Sequence, residues 1–278
     1  MTHNPSPIIS PEELVALAQN EKSILIDASF GKSNYLNRHL SGALHVDLNS
    51  ELSDIKEDFA DGGRHPLPSA GQFCNLLSRL GISPESHVVV YDDKNGSNAA
   101  SRFWWMMKAI GHQKIQVLDG GLDAAVKAGF AVAKGEEPKP VPCRYPIKEW
   151  TLPRADLPEV EKVSLDKEYL VIDVREPERY KGVKEPIDLI AGHIPGAVNI
   201  PFAMNLDQDG FFKSSEKLWE LYSDFIKDRP ASNIIVQCGS GVTACHTLLA
   251  MAHAGFELPK LYVGSWSEWS RNDKPIAK

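Results

Sequence analysis

The chain has 278 residues, 42% hydrophobic and 24% charged, the balance of a globular protein rather than a disordered or collagen-like one. Thirty basic against 37 acidic residues leave a net charge of −7, which argues against a nucleic-acid binder, because that affinity is built on Lys and Arg neutralising phosphates. No apolar run reaches the ~18 residues of a membrane span, and the start, MTHNPSPIISPEEL, has no cationic stretch followed by an apolar one, so neither membrane anchor nor secretory signal is expected.

In chain order the patterned segments are ILIDAS (24–29), HLSGALHVD (39–47), HVVVYDD (87–93), an apolar helix headed by Ala100 and ending at Ile110-Gly111-His112, and IQVLDGGLDAA (115–125). They return in the same order as LVIDVR (170–175), HIPGAVNIP (193–201), NIIVQCG (233–239), a helix headed by Ala244 and ending at Ala254-Gly255-Phe256, and KLYVGSWSEWS (260–270). The first pair is displaced by 146 residues, the second by 154 and the third by 146. Five matches in one order mark a tandem duplication of a unit of about 130 residues.

Between the copies, KGEEPKPVPCRYPIKEW (134–150) carries four prolines. Proline cannot continue a helix or a central strand, so this stretch is expected to be an extended linker. The domains are placed at 1–135 and 155–278, with the linker at 136–154. Within the second copy the pattern predicts strands at YLVIDV, AVNIP, NIIVQ and KLYV. Helices are predicted at VEKVSL, PERYKG, SEKLWELYSDFI, VTACHTLLAMAHAG and SWSEWS. Continuous apolar strands alternating with helices imply an α/β fold: in each copy, a small, mostly parallel sheet flanked by helices on both faces.

The four cysteines, Cys74, Cys143, Cys238 and Cys245, form no C-x-x-C pair, so neither a disulfide framework nor a zinc site is expected, and free thiols suit a reducing cytoplasm. Cys74, Cys143 and Cys245 read as small buried apolar residues. Cys238 differs, because in VQCGSGVTACHTL a buried strand ends at Gln237 and an apolar helix opens near Val242. Sites in open α/β sheets lie beyond the carboxyl ends of strands. A glycine-containing turn into a helix aims several backbone N–H groups at one point. The outcome is an anion cradle around a thiol, an environment that favours the nucleophilic thiolate. An isolated C-G-S-G is usually an ordinary turn with an inert cysteine; its place in the second copy of a duplicated unit reverses that. In the first copy Asp92 stands where Cys238 does, and a carboxylate is no soft nucleophile, so that copy is expected to be inactive scaffolding.

These motifs (AGHIPGAVNIP, its weaker copy RHLSGALHVD, ASRFWWMMKAIGH, GSWSEW and CGSGVTAC) resemble those of the two-domain rhodanese family of sulfurtransferases, from about residue 20 to 270. The resemblance implies a tandem rhodanese-like fold and sulfur transfer through a Cys238 persulfide, needing neither metal nor cofactor. Gly239, Ser240, Gly241, Val242 and Thr243 would bind the substrate. The loop looks like that of the members that use 3-mercaptopyruvate, since thiosulfate-preferring members carry two cations after the cysteine where this chain has Gly239 and Ser240. A compact dianion such as thiosulfate demands nearby cations more than neutral donors. The resemblance assigns Arg179 to the donor carboxylate and pairs Ser240 with His65 in a proton relay. It also finds Ile187 where a second substrate arginine is usual, and Asn49, two residues from Asp47, at the relay's acid position. His39 and His193 are expected to fix the turns beside Gly42 and Gly196.

The implied partners are a small sulfur donor, 3-mercaptopyruvate or thiosulfate, and a cyanide or thiol acceptor, including a thioredoxin-like protein. Two other classes compete. A cysteine phosphatase would need an arginine six residues after the cysteine, where this chain has Ala244. A non-catalytic persulfide carrier would be charged by a partner enzyme and would not turn over small donors.

Overall fold

The computed structural model describes residues 5–20 and 23–278. Residues 1–4 and 21–22 lie outside the described residues, so the reading of the amino-terminal start falls partly on them. The chain forms two compact units, one of residues 1–52, 68–151 and 208–212, the other of residues 53–67, 152–207 and 213–278. Residues 53–67, sequence neighbours of the first copy, thus fold as part of the second unit.

In the first unit, β1 (Ile8–Ile9), α1 (Pro11–Asn20), β2 (Ser23–Asp27), α2 (Lys32–Asn37), β3 (His39–Leu40) and β4 (Leu44–His45) come first. Then follow α3 (Ala70–Arg79), β5 (His87–Tyr91), α4 (Ala99–Ala109), β6 (Ile115–Leu118), α5 (Gly121–Lys127) and β7 (Val132–Ala133). Five strands make a parallel sheet in the order β1-β6-β5-β2-β4, and β3 pairs antiparallel with β7. The second unit runs β8 (Arg154–Ala155), α6 (Leu157–Val163), β9 (Leu170–Asp173), α7 (Pro177–Tyr180), β10 (Val198–Asn199), α8 (Ser215–Ile226), β11 (Ile234–Gln237), α9 (Ala244–His253), β12 (Lys260–Tyr262) and α10 (Ser265–Trp269). Its parallel sheet, β10-β9-β11-β12-β8, is the first sheet's order read from the other edge.

The central strands β5 and β11 carry continuous buried apolar runs, Val88–Val90 and Ile234–Val236, because both sheet faces are covered. The helix α8 matches its sequence pattern residue for residue. Ser214 caps it by accepting from the Lys217 N–H, and Leu218, Tyr222 and Ile226 turn inward at helical spacing. The stretch read as an extended linker, 134–150, carries neither helix nor strand and is packed into the first unit. The Cys143 N–H donates to the Ser78 carbonyl, the Tyr145 N–H to Ser78 Oγ, and the Trp150 indole to the Pro68 carbonyl. Its prolines rule out helix and strand, yet side chains and scattered main-chain bonds still anchor it.

The duplication reaches individual hydrogen bonds. Tyr35 stacks on His39, whose Nδ1 contacts the Tyr35 carbonyl, and the Tyr35 hydroxyl donates to the Ala43 carbonyl. Tyr180, His193 and Ala197 repeat this arrangement, with ring centroids 3.8 Å apart. Both histidines therefore brace the turns at Gly42 and Gly196. A Cβ on Gly196 would sit 2.0 Å from the Ser164 carbonyl oxygen, and its φ is +84°.

Candidate active site

Strand β11 ends at buried Gln237, and Cys238 is the next residue, 3% exposed. The turn is fastened to the start of α10. The Cys238 N–H donates to Ser265 Oγ (3.2 Å), the Trp266 N–H to the Cys238 carbonyl (3.0 Å) and the Ser267 N–H to the Gly239 carbonyl (2.9 Å). Gly241 is required at its position, since φ is +72° and a Cβ would lie 2.5 Å from the Val263 carbonyl oxygen. Helix α9 opens at Ala244, two residues later than the pattern predicts, because Val242 and Thr243 still belong to the turn. Cys245 is buried, its Sγ 3.3 Å from the Gly241 carbonyl, as a small packing residue would be.

The same turn in the first unit shows what such a loop holds. Asp92 is fully buried, and its carboxylate accepts four backbone N–H bonds, from Lys94, Gly96, Asn98 and Ala100, at 2.8–3.1 Å. An acid in this turn leaves no place for a second anion, because the acid is itself the bound anion. Burial lifts its pKa to about 6 against the pull of these donors, so the group is ionised at neutral pH.

Around Cys238 the loop offers no cation of its own, yet cations surround it. A Cβ built on Gly239 would meet Arg64 Nη2 at 2.9 Å, and Arg179 Nη2 and Asp188 Oδ2 at 3.3 Å. Arg179, 12% exposed in its side chain, comes from the short helix α7. Its Nε donates to both Glu185 oxygens (3.0 and 3.1 Å) and its Nη2 to Asp188 Oδ2 (3.0 Å). Burial works against its charge, but the hydrogen bond and field of Glu185, aided by Asp188, more than compensate and raise its pKa. Glu185 is correspondingly held below the usual carboxylate range: burial pushes it up and is outweighed by Arg179 and by the N–H groups of Ile187 and Asp188. Ile187 points out, 54% exposed, between these two inward-facing acids.

Arg64 and His65 enter on the segment 53–67. Gly62 N–H donates to Glu268 Oε1 (3.0 Å), Arg64 N–H to Ser267 Oγ (3.1 Å), and Asn272 Nδ2 to the Ala60 carbonyl. Gly63 lets this segment press on α10, since a Cβ would lie 2.4 Å from the Gly264 carbonyl oxygen. The segment places His65 Nδ1 2.8 Å from Ser240 Oγ, the pair that the sequence brought together. Asn49 belongs to the first unit, where its N–H donates to Asp47 Oδ1. Arg64 Nε reaches Asp188 Oδ1 at 2.9 Å. Arg64, Glu185, Asp188 and Arg271 were invisible in the sequence; the only signals were the adjacency of Arg64 to His65 and of Glu185 and Asp188 to Ile187.

The rhodanese-like domain model matches residues 10–128 and again 156–272, most of the chain. The chain belongs to the rhodanese family. It is 39% identical over 259 residues to the Pseudomonas aeruginosa "Probable 3-mercaptopyruvate sulfurtransferase", covering 91% of this chain and 89% of that protein. It is also 38% identical over 251 residues to the rat thiosulfate sulfurtransferase, covering 88% and 81%. Among solved structures it superposes on the 3-mercaptopyruvate sulfurtransferase of Escherichia coli, SseA, with a TM-score of 0.75 and 28% identity, covering 95% of this chain and all of that one. In this rhodanese no helix among the described residues is long and apolar enough to cross a membrane.

Proposed function

We propose that the protein moves a sulfane sulfur from 3-mercaptopyruvate, through a persulfide on Cys238, to a thiophilic acceptor. The observation that carries this reading is the pair of guanidiniums, Arg64 and Arg179, beside Gly239, over a loop whose own residues are neutral. A carboxylate held by those guanidiniums leaves the donor's thiol carbon and sulfur to lie over Cys238. Arginine's planar fork suits bidentate carboxylate binding.

In the first half-reaction the Cys238 thiolate attacks the donor sulfur. The S–S bond forms as the C–S bond breaks, and the bonding pair leaves on carbon as the pyruvate enolate, which takes a proton. Ser240 and His65 polarise the donor carbonyl and move that proton, a role supported by their mutual contact at 2.8 Å. Main-chain N–H groups of residues 239–243 stabilise the outer persulfide sulfur, as those of the first-unit turn stabilise Asp92. In the second half-reaction an acceptor nucleophile, cyanide or a small or protein thiol such as that of a thioredoxin-like protein, takes the sulfur and regenerates the thiolate. The four free cysteines agree with a cytoplasmic setting.

The relative named for thiosulfate supports a second donor, through the same persulfide. Exposure to 3-mercaptopyruvate followed by mass spectrometry is expected to add one sulfur to Cys238, and Cys238→Ser to abolish both the adduct and steady-state transfer to cyanide. Transfer surviving in Cys238→Ser, or an adduct on another cysteine, would overturn the reading. Charging by a partner protein with no turnover of either small donor would favour the carrier alternative, and hydrolysis of an aryl phosphate the phosphatase.

A further inference from the structure

We propose that Asp188 sets the net charge of the donor pocket and thereby its preference for a singly charged donor over a doubly charged one. The inference rests on the donor reading above and adds a specificity-determining residue to it.

The Asp188 side chain is fully buried, yet it faces three guanidiniums delivered by three separate segments. Arg64 approaches at 2.9 Å from the 53–67 segment and Arg179 at 3.0 Å from α7. Arg271 approaches at 3.6 Å from beyond α10, its own position fixed by a bond to the Ser267 carbonyl and by the Phe59 ring. With Arg175 there are four guanidiniums in this cluster, facing three buried carboxylates: Asp173, Glu185 and Asp188. Glu176, more than half exposed, lies 3.8 Å from Arg179 as an outer, solvent-screened carboxylate, so the buried part of the cluster keeps one net positive charge. Asp173 is consumed by Arg175, and Glu185 is shared between Arg175 and Arg179. Of the three buried carboxylates, Asp188 is the one that touches both guanidiniums flanking Gly239, its Oδ2 3.3 Å from the Cβ position there.

A carboxylate in that place acts in two ways. It aligns Arg64 and Arg179, which would otherwise repel one another across Gly239. It also repels any further negative charge brought to the same point, and in a partly dehydrated pocket that repulsion falls twice as heavily on a dianion as on a monoanion. Mercaptopyruvate presents one carboxylate to the cluster; thiosulfate presents two charges on a compact ion. On this basis the loop's lack of cations is only half of the donor selectivity, and Asp188 is the other half.

The test compares kcat/KM for thiosulfate and for 3-mercaptopyruvate, with cyanide as acceptor, in the wild type, Asp188→Asn and Arg271→Gln. Removing the carboxylate charge is expected to raise the thiosulfate-to-mercaptopyruvate ratio by about tenfold or more. Removing the Arg271 charge is expected to move the ratio the other way, and both shifts should shrink as ionic strength rises. A purely structural Asp188 would lower kcat/KM for both donors by the same factor and leave the ratio unchanged; that result overturns the proposal. Should Asp188→Asn fail to fold, Arg271→Gln decides alone, since an unmoved ratio there removes the charge rationale. Persulfide formation on wild-type Cys238 is measured in parallel: its absence with both donors overturns the sulfur-transfer reading and this proposal with it, whereas normal persulfide with an unmoved ratio overturns the role of Asp188 alone.

Discussion

Asp92 and Cys238 occupy one turn in two copies of the same unit, with opposite consequences. In the first copy the turn's main-chain donors are spent on a side chain of the turn itself. Because burial raises its folded pKa to about 6, above the unfolded value of 3.8, the group adds stability below about pH 4 that is lost as pH rises through 6. Asp92→Asn is expected to flatten this slope: the melting-temperature advantage of the wild type over the variant should shrink between pH 4 and pH 7. A difference that stayed constant or grew over that range would refute the assignment. At this scale the turn around Cys238 was legible from its local motif, and the family resemblance singled out Ser240, His65 and Arg179, which lie in or beside that turn. Arg64 was not legible, for its meaning comes from Asp188, 124 residues away, and a pairing at that separation leaves no periodic trace.

Among the elements, the strand–turn–helix units were predictable wherever apolar period and length agreed, as in α8 and β11. The boundary slipped at α9, where the chain continues as turn through Thr243; the proline-rich stretch is extended as its prolines require, and its hydrogen bonds to the first unit were not legible. The turn after β11 depends on a glycine that the pattern marked only as permissive. Gly241→Ala combines a positive φ with a clash against the Val263 carbonyl, so it is expected to destabilise the second unit by about 1–3 kcal/mol and to misplace the Cys238 loop. Chemical denaturation would register the first effect and persulfide yield the second. A variant with wild-type stability and yield would show that the turn relaxes freely.

Across the whole molecule, the repeat found by alignment of the sequence with itself is matched by two sheets of identical strand order, each with its own buried cluster. One is centred on Leu14, Val89 and Tyr91 and the other on Val171, Tyr262 and Trp266. What self-comparison could not reveal is that residues 53–67, which carry Arg64 and His65, fold with the second unit: contiguity in sequence is a weak guide where a long connection finds its hydrogen-bond partners elsewhere. Two cores imply that unfolding departs from a single two-state step. Scanning calorimetry should give a measured enthalpy larger than the van't Hoff value; equality of the two would mean that both cores melt as one.

The self-filled turn at Asp92 has a further consequence for stoichiometry. A duplicated ancestor with two vacant seats would take up two equivalents of any small oxyanion, and inhibition would be split between a productive and an idle location. Here one seat is permanently taken by a tethered occupant, so sulfite or sulfate in solution should titrate against a single position per polypeptide, and every molecule of inhibitor retained should be one that competes with the donor.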